Sequence, residues 1–380
     1  MIRVLFVESY PHVFFGQQRT MLSLLDACLA SGIAPVVAVT GEGPFTNEVR
    51  RRHIDPVLFP YPKAISSYGG AIYRVRGLRW IYMMLQVVGY VFRIRAVLSG
   101  CRPQVVFCND MRGLLTVGLA ARTLGIPVMI WDKLDKPHGW MDLVQLPLAT
   151  RNLIISDAVL VKYPLWQRRY YRDRIQRVYN GADIDRFYRA PLIRSSLPGE
   201  ETDIYLAIVG TITSRKGQDR ILSMWPNLME RVPSLRLLII GETAGVEDDA
   251  YLAKLPNRHH PRVHFLGMRQ DVPSIMRSID ILLVPSRHEG MGQVTVEAMA
   301  CSLPVIGSSA GGIGEVVLDG ETGLIVDMDD PKAVVEAVFA LAVSPELRKR
   351  MGDAGYQRVK QHFNRSLQMQ KVLTLLTEMV

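Results

Sequence analysis

Two carboxylates, Glu289 and Glu297, bracket seven residues, Gly290-Met291-Gly292-Gln293-Val294-Thr295-Val296. Carboxylates accept hydrogen bonds from hydroxyl groups, and a glycine-rich turn lets backbone N–H groups approach an anion. The apolar run Ile281–Val284 before them reads as a strand, and Val294 to Cys301 after them reads as a helix. A helix start carries unpaired N–H groups and roughly half a positive charge, which suits phosphate or sugar oxygen. Acceptors for a polyol beside donors for an anion fit a nucleotide sugar. The plain competing reading is a strand–loop–helix corner whose glutamates cap the helix and face water.

A second constellation is Gly210-Thr211-Ile212-Thr213-Ser214-Arg215-Lys216-Gly217, between an expected strand, Tyr205–Val209, and an expected helix, Asp219–Trp225. A lysine held at such a junction can neutralise a diphosphate leaving group as a glycosidic bond breaks. Alone, the fragment is equally a solvated Lys-Gly turn. Gly267-Met268-Arg269 follows another strand candidate, and Gly16 lies between the first strand and an expected helix, Thr20–Ala30.

On these residues the chain resembles the retaining nucleotide-sugar glycosyltransferases of the large E-x7-E family, group 1 and family 4-like. The likeness continues through Asn180-Gly181-Ala182-Asp183, Cys301-Ser302-Leu303-Pro304, Gly311-Gly312-Ile313-Gly314-Glu315 and Asp319-Gly320-Glu321-Thr322-Gly323. It covers most of residues 180–330 and the first 180 residues loosely. The resemblance implies an α/β chain of the GT-B fold, two Rossmann-like domains facing across a cleft. It also implies donor contacts from Glu289 to sugar hydroxyls, from Glu297 to a ribose diol, and from Gly290, Met291, Gly292, Gln293 and Val294 to sugar and phosphate. Gly210 and Lys216 would lie at the pyrophosphate, Gly267 and Met268 at the base, and Gly16 where backbone approaches the donor. Two departures stand out. The family's pyrophosphate arginine is replaced by Thr211, with Arg215 as the candidate substitute, and its Gly-Gly pair is reduced to Phe15-Gly16. For the family's histidine, Asp132 and His138 are the candidates. These departures keep open a binding-only scaffold of a polysaccharide assembly complex. An epimerase or phosphorylase fits less well, given the acidic pair and no evident pyridoxal lysine. An NAD oxidoreductase is disfavoured because the first strand leads into Glu8-Ser9-Tyr10-Pro11, without G-x-G-x-x-G.

Positioning such residues requires parallel sheets. Strand candidates are Arg3–Val7, Ala34–Val39, Gln104–Cys108, Val128–Trp131 and Ala158–Val161, then Tyr205–Val209, Leu235–Ile240, Val263–Leu266, Ile281–Val284, Val305–Gly307 and Gly323–Val326. Their apolarity is continuous rather than alternating, as in strands covered on both faces. The Pro- and Ser-containing stretch Ala190–Gly199 reads as a linker. The expected units are an acceptor-side domain over 1–190, a nucleotide-sugar domain over 200–355, and, by resemblance, a helix over 356–380 returning to the first domain.

With 380 residues and 48% apolar side chains, the chain can fill two cores. Cys28, Cys101, Cys108 and Cys301 form no C-x-x-C pair, so reduced thiols in the cytoplasm are expected. No His/carboxylate cluster is evident, so no metal and no cofactor beyond the donor, of UDP or GDP type, is expected. Residues 1–190 carry 25 Lys and Arg against 13 Asp and Glu, while residues 191–380 carry 20 against 23. The basic first half suggests an anionic partner. No nucleic-acid motif accompanies it. Two basic-aromatic segments, Tyr73–Arg95 and Trp166–Arg174, favour the inner face of a membrane and a glycan or lipid-linked acceptor. The uncharged run Trp80–Phe92 falls short of the ~20 residues that span a bilayer, so peripheral association is expected.

Overall fold

The computed structural model describes residues 2–14, 16–62, 77–133, 137 and 139–380. Its first sheet comprises β1 (Arg3–Glu8), β2 (Ala34–Val39), β3 (Val57–Leu58), β4 (Val105–Cys108), β5 (Val128–Asp132), β6 (Arg151–Ile154) and β7 (Ile175–Arg177). The order is β3-β2-β1-β4-β5-β6-β7, parallel throughout. The second sheet comprises β8 (Ile204–Val209), β9 (Leu235–Ile240), β10 (Val263–Gly267), β11 (Ile281–Val284), β12 (Val305–Ser308) and β13 (Gly323–Val326). Its order is β10-β9-β8-β11-β12-β13, again parallel. Each sheet reverses its winding beside its first strand, between β1 and β4 and between β8 and β11. Such a switch point leaves a crevice at the strands' carboxyl ends. The α/β class and the two-sheet architecture expected from the sequence are those observed.

Three local expectations need correction. Ala158–Val161 is not a strand; it lies in the 3-10 helix Asp157–Lys162, where Val159 is buried and Val161 is exposed. The strand comes earlier, as β6, and opens on the polar pair Arg151-Asn152, which hid it. The expected helix Asp219–Trp225 is two helices, Gln218–Ser223 and Trp225–Arg231, meeting at Met224, with Pro226 in the first turn of the second. Pro lacks an N–H to continue a helix and is accommodated at its start. The helix after β1 begins at Gly16 rather than Thr20.

The chain passes between the sheets twice, and the two passes are stitched together. Ala182 N donates to Phe363 O at 2.8 Å, and Arg365 N donates to Ala182 O at 3.0 Å. A side chain at Gly181 would collide with the Arg365 backbone, which explains a glycine in Asn180-Gly181-Ala182-Asp183. The helix Pro345–His362 packs on Gln293–Ala300, and the last helix, Arg365–Thr377, packs on Gly16–Ala30. Met369, Val372, Leu373 and Leu376 join Met21, Leu24, Leu25 and Cys28 in one buried cluster.

The sheets' facing ends also touch directly. Ser156 Oγ donates to Gly290 O, while Asp157 N and Ala158 N each donate to the Glu315 carboxylate at 3.0 Å. A Cβ on Gly290 would stand 2.5 Å from Lys133 O, and one on Gly312 would stand 2.5 Å from Gly290 O. Glycine is required at both positions by close approach, not by unusual backbone torsion.

Candidate active site

Two loops of the second sheet are clamped side by side. Gly210–Gly217 leaves β8, and Pro285–Gly292 leaves β11. Arg287 N donates to Arg215 O at 2.8 Å, and the Arg287 guanidinium grips both oxygens of Asp219 at 2.8 and 2.7 Å. Gly217 has φ +74°, and a side chain there would meet Pro285 O, so only glycine serves.

This clamp brings Lys216 to Glu289. Lys216 Nζ lies 2.6 Å from Glu289 Oε2, and Ser286 Oγ donates to the same oxygen at 3.3 Å. Arg215 Nη1 is 3.5 Å from that oxygen and donates to His288 O at 3.1 Å. Thr211 supplies no cation, but Arg215 stands on the same carboxylate as Lys216. Gly210 lies against the lysine stem, where a Cβ would be 3.5 Å from Lys216 Cε. Gly292, at φ +82°, ends the loop and opens the helix Gln293–Ala300; Met291 beneath it is buried.

Glu297 lies one helical turn past Gln293, whose Nε2 reaches Glu297 Oε1 at 3.4 Å and Gly181 O at 3.4 Å. It lines an interdomain cavity of about 540 Å3 with Gly16, Arg19, Arg186, Gln293 and Arg365. Burial raises the Glu297 carboxyl above the usual carboxylate range, opposed by the Gln293 hydrogen bond and by Arg365, Arg186 and Arg19. A carboxylate ringed by guanidiniums drawn from separate elements can present acceptors to hydroxyls while the cations meet phosphate. The three arginines were missed in the sequence because nothing local marks them; they meet only where the chain passes cross. Val209 and Gln293 line this cavity, and the next residues along, Gly210 and Gly292, belong to the Lys216–Glu289 loops. Val294 is half-buried on the same helix turn.

Other expected residues are distributed differently. Gly267 opens onto a separate cavity of about 510 Å3 with Glu242, Arg258 and His259, and Met268 is exposed. Of that loop, Arg269 and Gln270 line the interdomain cavity instead. Asp132, at the end of β5, is held in a buried network: Lys162 Nζ lies 2.8 Å from Oδ1 and 2.7 Å from Oδ2, and Gln145 and Tyr163 donate to Oδ2. That pairing fixes Asp132 as an anchor and removes it from the Glu289 loop. His138 and Phe15 lie outside the described residues.

Lys133 follows β5 and lines the same small cavity as Asp132. Its Nζ donates to Asn109 Oδ1 at 2.7 Å, and Asn109 Nδ2 donates to Glu8 Oε2 at 2.6 Å. Burial pushes Lys133 down to about 8, against the opposing pull of Glu8 and Asp110. Burial and the neighbouring Asp110 push Glu8 up to about 7. Among the described residues no cluster of His, Cys, Asp and Glu has the makings of a metal site.

Comparison with known proteins bears on the fold and the family. Residues 190–358 match the family model described as glycosyl transferases group 1. A GDP-mannose-dependent alpha-(1-6)-phosphatidylinositol monomannoside mannosyltransferase of Mycolicibacterium smegmatis is 27% identical over 339 residues, 82% of this chain and 87% of that protein. Among solved structures, Anabaena HepE in complex with UDP superposes with a TM-score of 0.78 at 18% identity, covering all of both chains. A glycosyltransferase from Rickettsia africae superposes with a TM-score of 0.80 at 16% identity over 100% of this chain and 98% of that one. The two facing parallel sheets are those of the GT-B fold, and the second domain, residues 190–358, matches the group 1 glycosyl transferases.

Proposed function

We propose that the chain transfers one sugar, with retention of anomeric configuration, from a nucleoside-diphosphate sugar to a hydroxyl of a glycan or lipid-linked acceptor. The observation that carries this reading is the Lys216–Glu289 pair at the switch point of the second sheet. Lys216, with Arg215 beside it, takes the charge that develops on the leaving diphosphate. Glu289, as that charge draws the cations away, accepts hydrogen bonds from donor-sugar hydroxyls. Glu297, inside the interdomain cavity, accepts from a ribose diol. Interdomain closure at Ser156, Gly290 and Glu315 keeps bulk water from competing with the acceptor. That Anabaena HepE was solved with UDP and with UDP-glucose supports a nucleotide-sugar donor.

The reading extends to cell-surface polysaccharide or glycolipid synthesis at the cytoplasmic face of a membrane. The helix Leu78–Cys101 turns Ile81, Leu85, Val88 and Phe92 outward at i, i+4, i+7 and i+11, and Val161, Leu165, Trp166 and Tyr170 form a second exposed group. The window Ile81–Cys101 is long and apolar enough, by length and composition, to cross a membrane. Against that, Tyr90, Val91, Ile94 and Leu98 on its other face pack into the first domain, and Tyr90 OH donates to Phe59 O at 2.8 Å. A docked helix with an apolar outer stripe and basic neighbours suits interfacial seating. Tyr73 to Arg76, the start of this basic segment, lie outside the described residues.

Assay with a panel of UDP- and GDP-sugars should show turnover, and NMR of the product should show the donor's anomeric configuration preserved. Lys216→Ala and Glu289→Ala should each lower turnover more than about 100-fold while leaving the unfolding midpoint near wild type. Wild-type turnover in either variant would remove that pair from the reaction.

A further inference from the structure

The interdomain cavity of about 540 Å3 that holds Glu297 is lined by more guanidiniums than its acids engage. Arg52 is committed to Asp26, at 2.6 and 3.0 Å, and reaches Glu48 at 3.4 Å. Arg269 is committed to Asp271, at 2.8 and 2.7 Å, and Arg365 faces Asp183 at 3.6 Å. Arg19 and Arg186 remain. Among the described residues neither forms a salt bridge, and each lies instead beside an aromatic ring of the same cavity, Phe14 at 5.6 Å and Phe187 at 5.8 Å to the centroid. Their common acid is Glu297, which they and Arg365 attract without contact. One carboxyl shared at a distance by three guanidiniums leaves positive charge uncompensated, a field that draws in an anion. The two unpaired guanidiniums come from opposite walls. Arg19 lies in the first turn of the helix Gly16–Ala30 of the first domain. Arg186 lies on the short helix Ile184–Tyr188, which packs on Val272–Ser278 and Gln293–Ala300 of the second domain.

We propose that Arg19 and Arg186 hold, from the two walls of the cleft, the phosphate esterified to the donor's ribose. This rests on the nucleotide-sugar reading and goes beyond it in naming a first-domain side chain that grips the donor. Position is the first argument: with the ribose diol on Glu297, the phosphate of that ribose falls within the same cavity, while Lys216 and Glu289 serve the phosphate and sugar farther along. Need is the second. Thr211 stands where the family resemblance puts a second diphosphate cation, and Lys216 and Arg215 both stand on Glu289. The ribose-side phosphate therefore draws no cation from that loop. Availability is the third, because neither arginine has an ion pair to break before it turns to phosphate, and guanidinium–phosphate bonds are among the strong ones. A phosphate held from both walls would also favour the closed arrangement of the two domains.

The full chain should be titrated by calorimetry with uridine, UMP and UDP, and with guanosine, GMP and GDP. In the series that binds, the wild type should hold the monophosphate at least about tenfold more tightly than its nucleoside. Arg19→Ala and Arg186→Ala should each weaken the monophosphate about tenfold and leave the nucleoside's affinity at the wild-type value. Arg19→Lys should recover part of the loss, since it keeps the charge but not the planar fork. As neither side chain carries a salt bridge, the unfolding midpoints should stay near wild type. Monophosphate binding that is unchanged in both alanine variants overturns the proposal. So do equal losses for nucleoside and monophosphate, because the arginines would then only support the fold. Equal affinity of the wild type for nucleoside and monophosphate overturns it as well, and this arm decides even where a variant fails to fold. Nucleotide binding indifferent to both substitutions sinks this proposal alone, whereas no nucleotide binding to the wild type sinks the donor reading together with it.

Discussion

At the scale of single residues, the chemistry divides between an ion pair with a path to solvent and two ionisable groups bridged by a neutral amide. Lys216 and Glu289 meet across two loops, and each retains a path to solvent. Half-buried Lys133 and buried Asn109 and Glu8 form a hydrogen-bonded chain in which the amide separates the two ionisable ends. Burial favours the neutral form of each end, lowering Lys133 and raising Glu8. Glu8 therefore contributes stability fully at acidic pH, below its unfolded value, and that contribution is lost as pH rises to about 7. Lys133 loses its proton near 8, so any anion it holds should be released as pH climbs through that value. Lysine-selective NMR should find one amine titrating near 8, absent in Lys133→Met. In Glu8→Gln the same resonance should titrate lower, because a negative neighbour that favoured the charged amine is gone. An unshifted midpoint would mean the two ends do not sense each other.

At the scale of elements, glycines decide how closely the parts approach. Gly290 and Gly312 lie where the second sheet's loops meet Lys133 and Ser156, and Gly181 lies where the first chain crossing meets the second. Gly290→Ala should therefore push the two sheets' facing ends apart. Overpacking at such a contact costs about 1–3 kcal/mol, which denaturant unfolding would register as a lower midpoint. Transfer should fall further than stability does, since Gly290 adjoins Glu289. Gly314, with open space around its Cβ position, should accept alanine with little change and serves as the control. Equal behaviour of Gly290→Ala and Gly314→Ala would refute the close-approach argument.

At the scale of the whole molecule, two chain passes and one carboxylate set the relation between the sheets. Glu315 accepts from two successive backbone N–H groups, Asp157 and Ala158, at the start of the 3-10 helix after β6. Glu315→Ala removes those acceptors without touching the Gly210–Gly217 and Pro285–Gly292 loops. The variant should populate more open arrangements, seen as a larger radius of gyration in solution scattering, and its KM for donor should rise more than kcat falls. An unchanged radius and KM would show that the Glu315 carboxylate is not needed to hold the sheets. Deleting residues 365–380 tests those passes. The deletion strips the cover from Met21, Leu25 and Cys28, so loss of the cooperative unfolding transition of the first domain is expected rather than a mild shift.

The sequence by itself determined the parallel sheets, because continuous apolar runs between helical segments admit little else. It also marked two candidate loops, Gly210–Gly217 with its lysine and Glu289–Glu297 with its acids and glycines, each a few residues long. Only the tertiary structure decided what depends on residues distant in the chain. It joined Arg215 and Lys216 to Glu289, placed Arg19, Arg186 and Arg365 around Glu297, and paired Asp132 with Lys162. Local patterns report the period of burial along one element. Which side chains share a cavity is set by how two sheets and the chain's return passes pack, and no window of sequence contains that.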